Sequence, residues 1–123
     1  VFVKSGIITY MFDSFKCLRT FDKLRIRKNK GLFYRGSTYI EKENITKLKK
    51  IVSSWKELFN EASEEFILTG FFNEKLNEYE RTNYNKNEVM ESLENLITLC
   101  EKAEKENKII RCKKITVRME NNK

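Results

Sequence analysis

The sequence predicts an α+β fold. Three observations carry that reading: two long segments with apolar residues at helical spacing, short β-branched or aromatic runs around them, and a strand, helix, strand, strand, helix, strand order from residue 32 onward. With 123 residues, the chain is expected to form one domain, residues 1–123, burying roughly two thirds of its unfolded surface around a single core. Hydrophobic residues make up 40% of it, including nine Phe, five Tyr and one Trp. That content argues for a folded chain even though 35% of the residues are charged.

Taken in order, "GIITYMFDSFKCLRTF" places Ile8, Met11, Phe12, Phe15, Leu18 and Phe21 at helical spacing and predicts a helix near the N-terminus. "LRIRKNKGLFYRGSTYI" predicts two short strands around a "KNKG" turn, with Gly31 taking the positive φ that such a turn requires. Residues 44–61 carry Ile45, Leu48, Ile51, Val52, Trp55, Leu58 and Phe59 at intervals of three and four, an amphipathic helix with Asn44 as N-cap.

"EEFILTGFFN" and "LNEYERTNYN" follow as two extended runs joined by "NEK", which predicts a hairpin. A second helix is expected over about 86–106. It turns Val89, Leu93, Leu96, Ile97, Cys100 and Ala103 inward, and Asn85 and Glu88 are placed as a capping box. "KIIRCKKITVR" predicts a closing strand, and "MENNK" a frayed tail.

Two strand-helix-strand units with right-handed crossovers give a ferredoxin-like or related split sandwich, with residues 1–30 as a helical or hairpin extension. In that arrangement the strand in "EEFILTGFF" is central. Both of its faces are apolar apart from Thr69 and Gly70, so a second cover is needed beyond the two helices, from the N-terminal segment or from a partner.

The net charge of +7 is unevenly spread. Residues 1–56 hold 14 basic and 4 acidic side chains, residues 57–106 hold 5 and 13, and residues 107–123 hold 6 and 1. A bipolar chain of this kind can attract partners of either sign. Cys17, Cys100 and Cys112 show no CxxC spacing and read as free thiols in a reducing compartment, which suits a cytoplasmic protein. The N-terminal apolar run is too short for a membrane span and lacks the features of a signal peptide.

The absence of His from the sequence removes imidazole-dependent triads and His-containing metal sites. Asp13 and Asp22 stand apart from the Glu residues, the four glycines form no phosphate-cradling motif, and Cys100 sits on an inward helical stripe. The expectation is therefore a protein without catalytic residues, cofactor or metal.

Two binding surfaces suggest themselves instead. Glu74, Glu78, Glu80, Glu88 and Glu91, with Tyr79 and Tyr84 among them, form an acidic aromatic face suited to a steered protein interface. As the alternative, Arg25, Arg27, Lys28, Lys30 and Arg35 with Phe33 and Tyr34 make a basic hairpin suited to RNA or DNA. For either surface the plainer reading is a solvated charged face or edge.

Residues 55–115 combine a Trp-bearing helix, an apolar strand, an acidic hairpin, a capped helix ending in an Ala- and Lys-rich turn, and a final apolar strand. That pattern resembles small bacterial immunity proteins associated with polymorphic toxins and contact-dependent growth inhibition. The resemblance implies a non-catalytic cytoplasmic protein that binds a cognate toxin domain and blocks its active site. Many such toxins are nucleases with basic clefts, which an acidic face would fit. It carries over no individual residue.

Overall fold

In the computed structural model, residues 1–22, 28–31, 37–113 and 116–120 are described. The fold is α+β. Its elements run α1 (Ser5–Tyr10), a 3₁₀ segment (Phe12–Cys17), β1 (Arg19–Phe21), β2 (Lys28–Lys30), β3 (Thr38–Ile40), α2 (Glu43–Asn60), β4 (Glu65–Asn73), β5 (Glu78–Asn85), α3 (Lys86–Glu106), β6 (Ile109–Lys113) and β7 (Thr116–Glu120). The expected strand and helix order is present as β3-α2-β4-β5-α3-β6.

The strands divide differently from the expectation. β2-β1-β3-β6-β7 form one antiparallel sheet, and β4-β5 form a separate two-stranded sheet. β3 and β6, the first and last strands of the expected unit, do pair, with Tyr39 opposite Arg111. β4 is thus not a central strand but half of a hairpin standing apart from the main sheet.

Several boundaries also move. "KNK" is strand β2, paired with β1, and not a turn; Gly31 directly after it has φ +84°. The single closing strand is two, β6 and β7, paired from Ile109↔Glu120 to Lys113↔Thr116. The N-terminal helix stops at Tyr10, after which Phe12–Cys17 tighten into 3₁₀ and Arg19–Phe21 extend. The spacing still buries Ile8, Phe15 and Leu18, because a 3₁₀ run keeps a near-helical period.

α3 spans the expected 86–106. Asn85 accepts a bond from the Glu88 N–H at 3.2 Å, and Asn107 ends the helix in the left-handed conformation (φ 54°). α2 begins one residue early, with Lys42 at φ 43° as its N-cap. Asn44 does not cap it; its side-chain oxygen accepts the Arg19 N–H at 3.0 Å and ties β1 to the helix.

α2 and α3 pack together over the inner face of the main sheet, where Ile45, Leu48, Val52, Trp55, Leu93, Leu96 and Cys100 meet Ile40, Ile110 and Cys112. Phe15 meets Trp55 edge to face at 4.9 Å, and the Trp55 indole N–H donates to Ser14 Oγ at 3.0 Å. Leu58, expected to point inward, is exposed.

Candidate interaction surface on the β4-β5 hairpin

β4 is rich in aromatic and β-branched residues and pairs with β5 from Glu65↔Asn85 to Asn73↔Glu78. At the turn, Asn73 Oδ1 accepts the backbone N–H groups of Lys75 (3.0 Å) and Leu76 (3.2 Å), and Asn77 adopts φ 52°. Asn at both positions lets the chain reverse without Gly.

Below the turn the ladder shifts by one residue. Thr69 pairs with Arg81, but Phe72 pairs with Tyr79, so Gly70 and Phe71 together oppose Glu80. This β-bulge changes the phase of the strand. Before it, Phe66 and Leu68 face inward and Ile67 and Thr69 outward. After it, Phe72 turns outward beside Tyr79, their rings 5.0 Å apart.

The inner face is covered around Phe66 and Tyr84, while Phe71 at the bulge is 66% exposed. Phe66 stacks between Phe59 of α2 (5.5 Å) and Tyr84 (5.8 Å), and α1 packs over β4. Tyr84 reaches under α1, so close to Gly6 that a Cβ there would fall on its hydroxyl and lie 2.9 Å from its Cζ. Lys4 lies over the Tyr84 ring, 5.8 Å from its centroid, and its Nζ is 3.5 Å from Glu88. Towards the bulge the inner face opens into a groove of about 470 Å³, lined in part by Phe2, Lys4, Leu68, Phe71 and Glu80.

The outer face is bare. Ile67 is 63% exposed, Phe72 46% and Tyr79 58%, and Leu76 at the turn is 65% exposed. Phe72 and Tyr79 lie together near Leu76 at the turn, and Ile67 stands farther along the same face beyond the Thr69–Arg81 pair; exposed apolar side chains gathered on one hairpin are of the kind that marks an interaction site. Glu65 and Arg81 are on the same face, Glu74 and Lys75 lie in the turn, and exposed Glu78 starts β5 on the side of Glu80.

The structure therefore sorts the acidic aromatic face predicted from sequence. Glu74, Glu78 and Tyr79 come together at the far end of the hairpin and are exposed. Glu80 lies on the opposite, inner side against Gly70, with Oε2 3.3 Å from where a Gly70 Cβ would stand. Glu88 and Glu91 are exposed on the first turns of α3, Glu88 engaged with Lys4. Tyr84 does not belong to the surface: it is 3% exposed, a core residue. Residues five apart on a strand point to opposite faces, which separates Tyr84 from Tyr79.

Ile67, Phe72 and Leu76 were not among the predicted contacts. Their signal was present in the sequence as a strand apolar on both faces. Of the alternative basic hairpin, Lys28 and Lys30 lie in β2, with Lys30 exposed. Arg25, Arg27, Phe33, Tyr34 and Arg35 lie outside the described residues.

No known family's sequence profile, no curated protein and no solved structure matches this chain. The site must therefore be read from its own chemistry. Among the described residues no group of three or more Cys, Asp or Glu side chains is placed to hold a metal ion. Burial pushes the Cys100 thiol up to about 12 and the Cys112 thiol up to about 11. Near neutral pH both are protonated and poorly nucleophilic. No helix among the described residues is long and apolar enough to cross a membrane. What the hairpin offers chemically is a set of exposed apolar side chains among which carboxylates outnumber basic groups.

Proposed function

We propose that this protein neutralises a toxin domain, most simply a nuclease, by docking the outer face of the β4-β5 hairpin against the toxin's active-site cleft in the cytoplasm. The observation that carries the reading is the exposure of Ile67, Phe72, Leu76 and Tyr79 on one hairpin, where the carboxylates of Glu65, Glu74 and Glu78 outnumber the basic Lys75 and Arg81. Apolar anchors accompanied by charged groups are the composition of a specific protein interface. A nuclease cleft is basic because it must hold phosphates, so an excess of carboxylates complements it and steers encounter. The resemblance of residues 55–115 to bacterial immunity proteins supports the same reading. Its contact residues differ from the acidic face first expected: Tyr84, Glu80, Glu88 and Glu91 drop out, and Ile67, Phe72, Leu76 and Glu65 come in.

The test is co-expression with the product of the neighbouring gene, scored by co-purification and by rescue of growth. The expected result is a stable complex and restored growth. Ile67→Asp with Tyr79→Ala should weaken association about a hundredfold or more, as losing two anchors of roughly 2 kcal/mol each would, with the thermal melt unchanged. A complex that forms with undiminished affinity in the double variant would remove the hairpin from the interface. Failure to find any complex or rescue would refute toxin neutralisation.

A further inference from the structure

The groove on the inner side of the hairpin is built differently from the bare outer face. It has a volume of about 470 Å³ and is lined in part by Phe2, Lys4, Leu68, Gly70, Phe71 and Glu80, so that the β4-β5 bulge forms one wall and the chain leading into α1 the other. Phe2 is 57% and Phe71 66% exposed, so neither ring is covered by the rest of the chain. Exposed aromatic rings and a carboxylate in one groove form a surface suited to a cation.

The two charged groups of the groove are not equivalent. Lys4 is already engaged, its Nζ 3.5 Å from Glu88 and over the Tyr84 ring. Glu80 is exposed and takes part in none of the ion pairs found among the described residues. Its side chain is nevertheless placed: Oε2 and Cβ lie 3.3 and 3.4 Å from where a Gly70 Cβ would stand. Two points of one side chain this close to the same position lay it along the strand at the bulge, in room that only glycine leaves. Glu78, two residues earlier on the same side of β5, adds negative charge nearby.

The chemistry of the groove selects its occupant. An anion, whether a nucleic-acid phosphate or a lipid headgroup, would meet a carboxylate that no cation offsets. A neutral apolar segment would cover Glu80 and leave its charge buried without a partner, which is costly. A planar, weakly hydrated cation satisfies both features of the groove, since it can stack on an aromatic ring and donate paired N–H groups to a carboxylate. Among side chains that description fits arginine; the lysine ammonium is more strongly hydrated and has no plane to stack.

We propose that the groove at the β4-β5 bulge receives an arginine side chain of a partner protein, with Glu80 as its counter-ion and Phe2 and Phe71 as its aromatic walls. The identity of the partner rests on the toxin reading above: the arginine then belongs to the toxin's basic cleft. The groove and the bare face lie on opposite sides of the same two strands, so a cleft that receives the hairpin has a wall for each.

The probe is the peptide acetyl-Gly-Arg-Gly-amide, titrated into the isotope-labelled full chain and followed by its backbone amide resonances. Saturable shifts are expected at Gly6, Gly70, Phe71 and Glu80, with a dissociation constant in the millimolar range. The same peptide with Lys in place of Arg should bind about threefold more weakly, and one with neutral citrulline about fivefold or more. Glu80→Gln should weaken the Arg peptide about fivefold or more and Phe71→Ala about threefold. Both residues are exposed, so the thermal melt should not change, and Glu74→Gln should leave binding as it is. Resonances unmoved at tens of millimolar peptide, shifts centred on another acidic site, equal binding of the Arg and Lys peptides, or a Glu80→Gln protein that binds like the wild type would each overturn the proposal. So would self-association, seen by sedimentation and abolished by Glu80→Gln, in place of peptide binding. The titration contains no toxin, so its failure leaves toxin neutralisation standing, and failure of the co-expression test leaves the arginine preference of the groove standing. In the co-expressed complex Glu80→Gln should weaken association about tenfold; undiminished affinity there would remove the groove from the interface and leave the outer face in it.

Discussion

Replacing Gly6 by Ala tests the packing that holds the hairpin to the body of the protein. Within a helix, Gly→Ala ordinarily stabilises by up to about 1 kcal/mol, since Ala loses less backbone entropy. At Gly6 the sign should reverse. The added methyl falls on the Tyr84 hydroxyl and lies 2.9 Å from Cζ, whereas ordinary contact begins near 3.4 Å. Tyr84 cannot simply swing aside, because Phe66 is stacked on it and Phe59 on Phe66. Either α1 lifts from the hairpin or the aromatic stack shifts. Overpacking of this kind costs about 1–3 kcal/mol, and an overlap this severe belongs at the upper end. After subtracting the propensity gain, the expected net loss is about 2 kcal/mol, or roughly 6–10 °C in Tm for a chain of this size. Urea unfolding followed by the fluorescence of Trp55, the sole tryptophan, measures it. Adding Tyr84→Phe removes the worst overlap and leaves the Cζ contact, so the double variant should recover about 1 kcal/mol in a double-mutant cycle. A Gly6→Ala protein as stable as the wild type, or more so, would refute the close packing of α1 on Tyr84.

Two further outcomes follow from the helix pair and the thiols. Lys49 Nζ and Thr46 Oγ1 both donate to Glu104, at 2.8 and 2.7 Å, and these bonds hold its carboxyl below the usual range while raising Lys49. The Glu104 contribution is therefore present above about pH 4.3, the unfolded carboxylate value, and is lost as pH falls through the lower folded value. That of Lys49 is present below about pH 10.4 and is lost as pH rises through its raised folded value. Glu104→Gln should lower Tm by a few degrees at pH 7, since a partly exposed pair contributes under about 1 kcal/mol. The difference should shrink at both pH extremes; a difference independent of pH would contradict the assignment. Cys17 is exposed while Cys100 and Cys112 are buried, so Ellman's reagent at pH 8 should titrate one thiol rapidly in the native protein and three after denaturation. A second rapid thiol would mean that the α3 stripe or β6 opens readily.

Local signals in the sequence were read where local physics decides the outcome. α3 was legible to the residue because Asn85 caps it by a direct side-chain bond and its apolar stripe repeats without interruption. α2 was legible in extent but not in its start, because a tertiary contact to Arg19 competes for the Asn44 side chain. Strand pairing was much less legible. Alternation can say that Phe66 and Ile67 face opposite ways, yet it cannot say whether a neighbour covers each face. The bulge at Gly70 and Phe71 then reverses the phase, so that Phe72 points outward when strict alternation from Phe66 would turn it inward. Tyr84 was misplaced for a simpler reason. It is the one buried residue in β5, a strand that otherwise reads as polar throughout, and its parity relative to Tyr79 was the available clue.

The bare hairpin face also bears on how tight its contact can be. The still exposed parts of Ile67, Phe72, Leu76 and Tyr79 are worth about 1–2 kcal/mol each on burial, about 6 kcal/mol together. Association itself costs about 4–15 kcal/mol before any affinity appears. The apolar patch alone therefore leaves little or no net binding. Strong association requires the carboxylates around it to find fixed cationic partners, each such desolvated pair adding a few kcal/mol or more. Two copies of the hairpin meeting face to face would bury the same apolar area, but each would offer only Lys75 and Arg81 to the three carboxylates Glu65, Glu74 and Glu78 of the other. The same excess of carboxylates that makes a basic cleft a good partner thus makes a second copy a poor one. A strand apolar on both faces and isolated from the main sheet thus gains more from a partner of opposite charge than from a copy of itself.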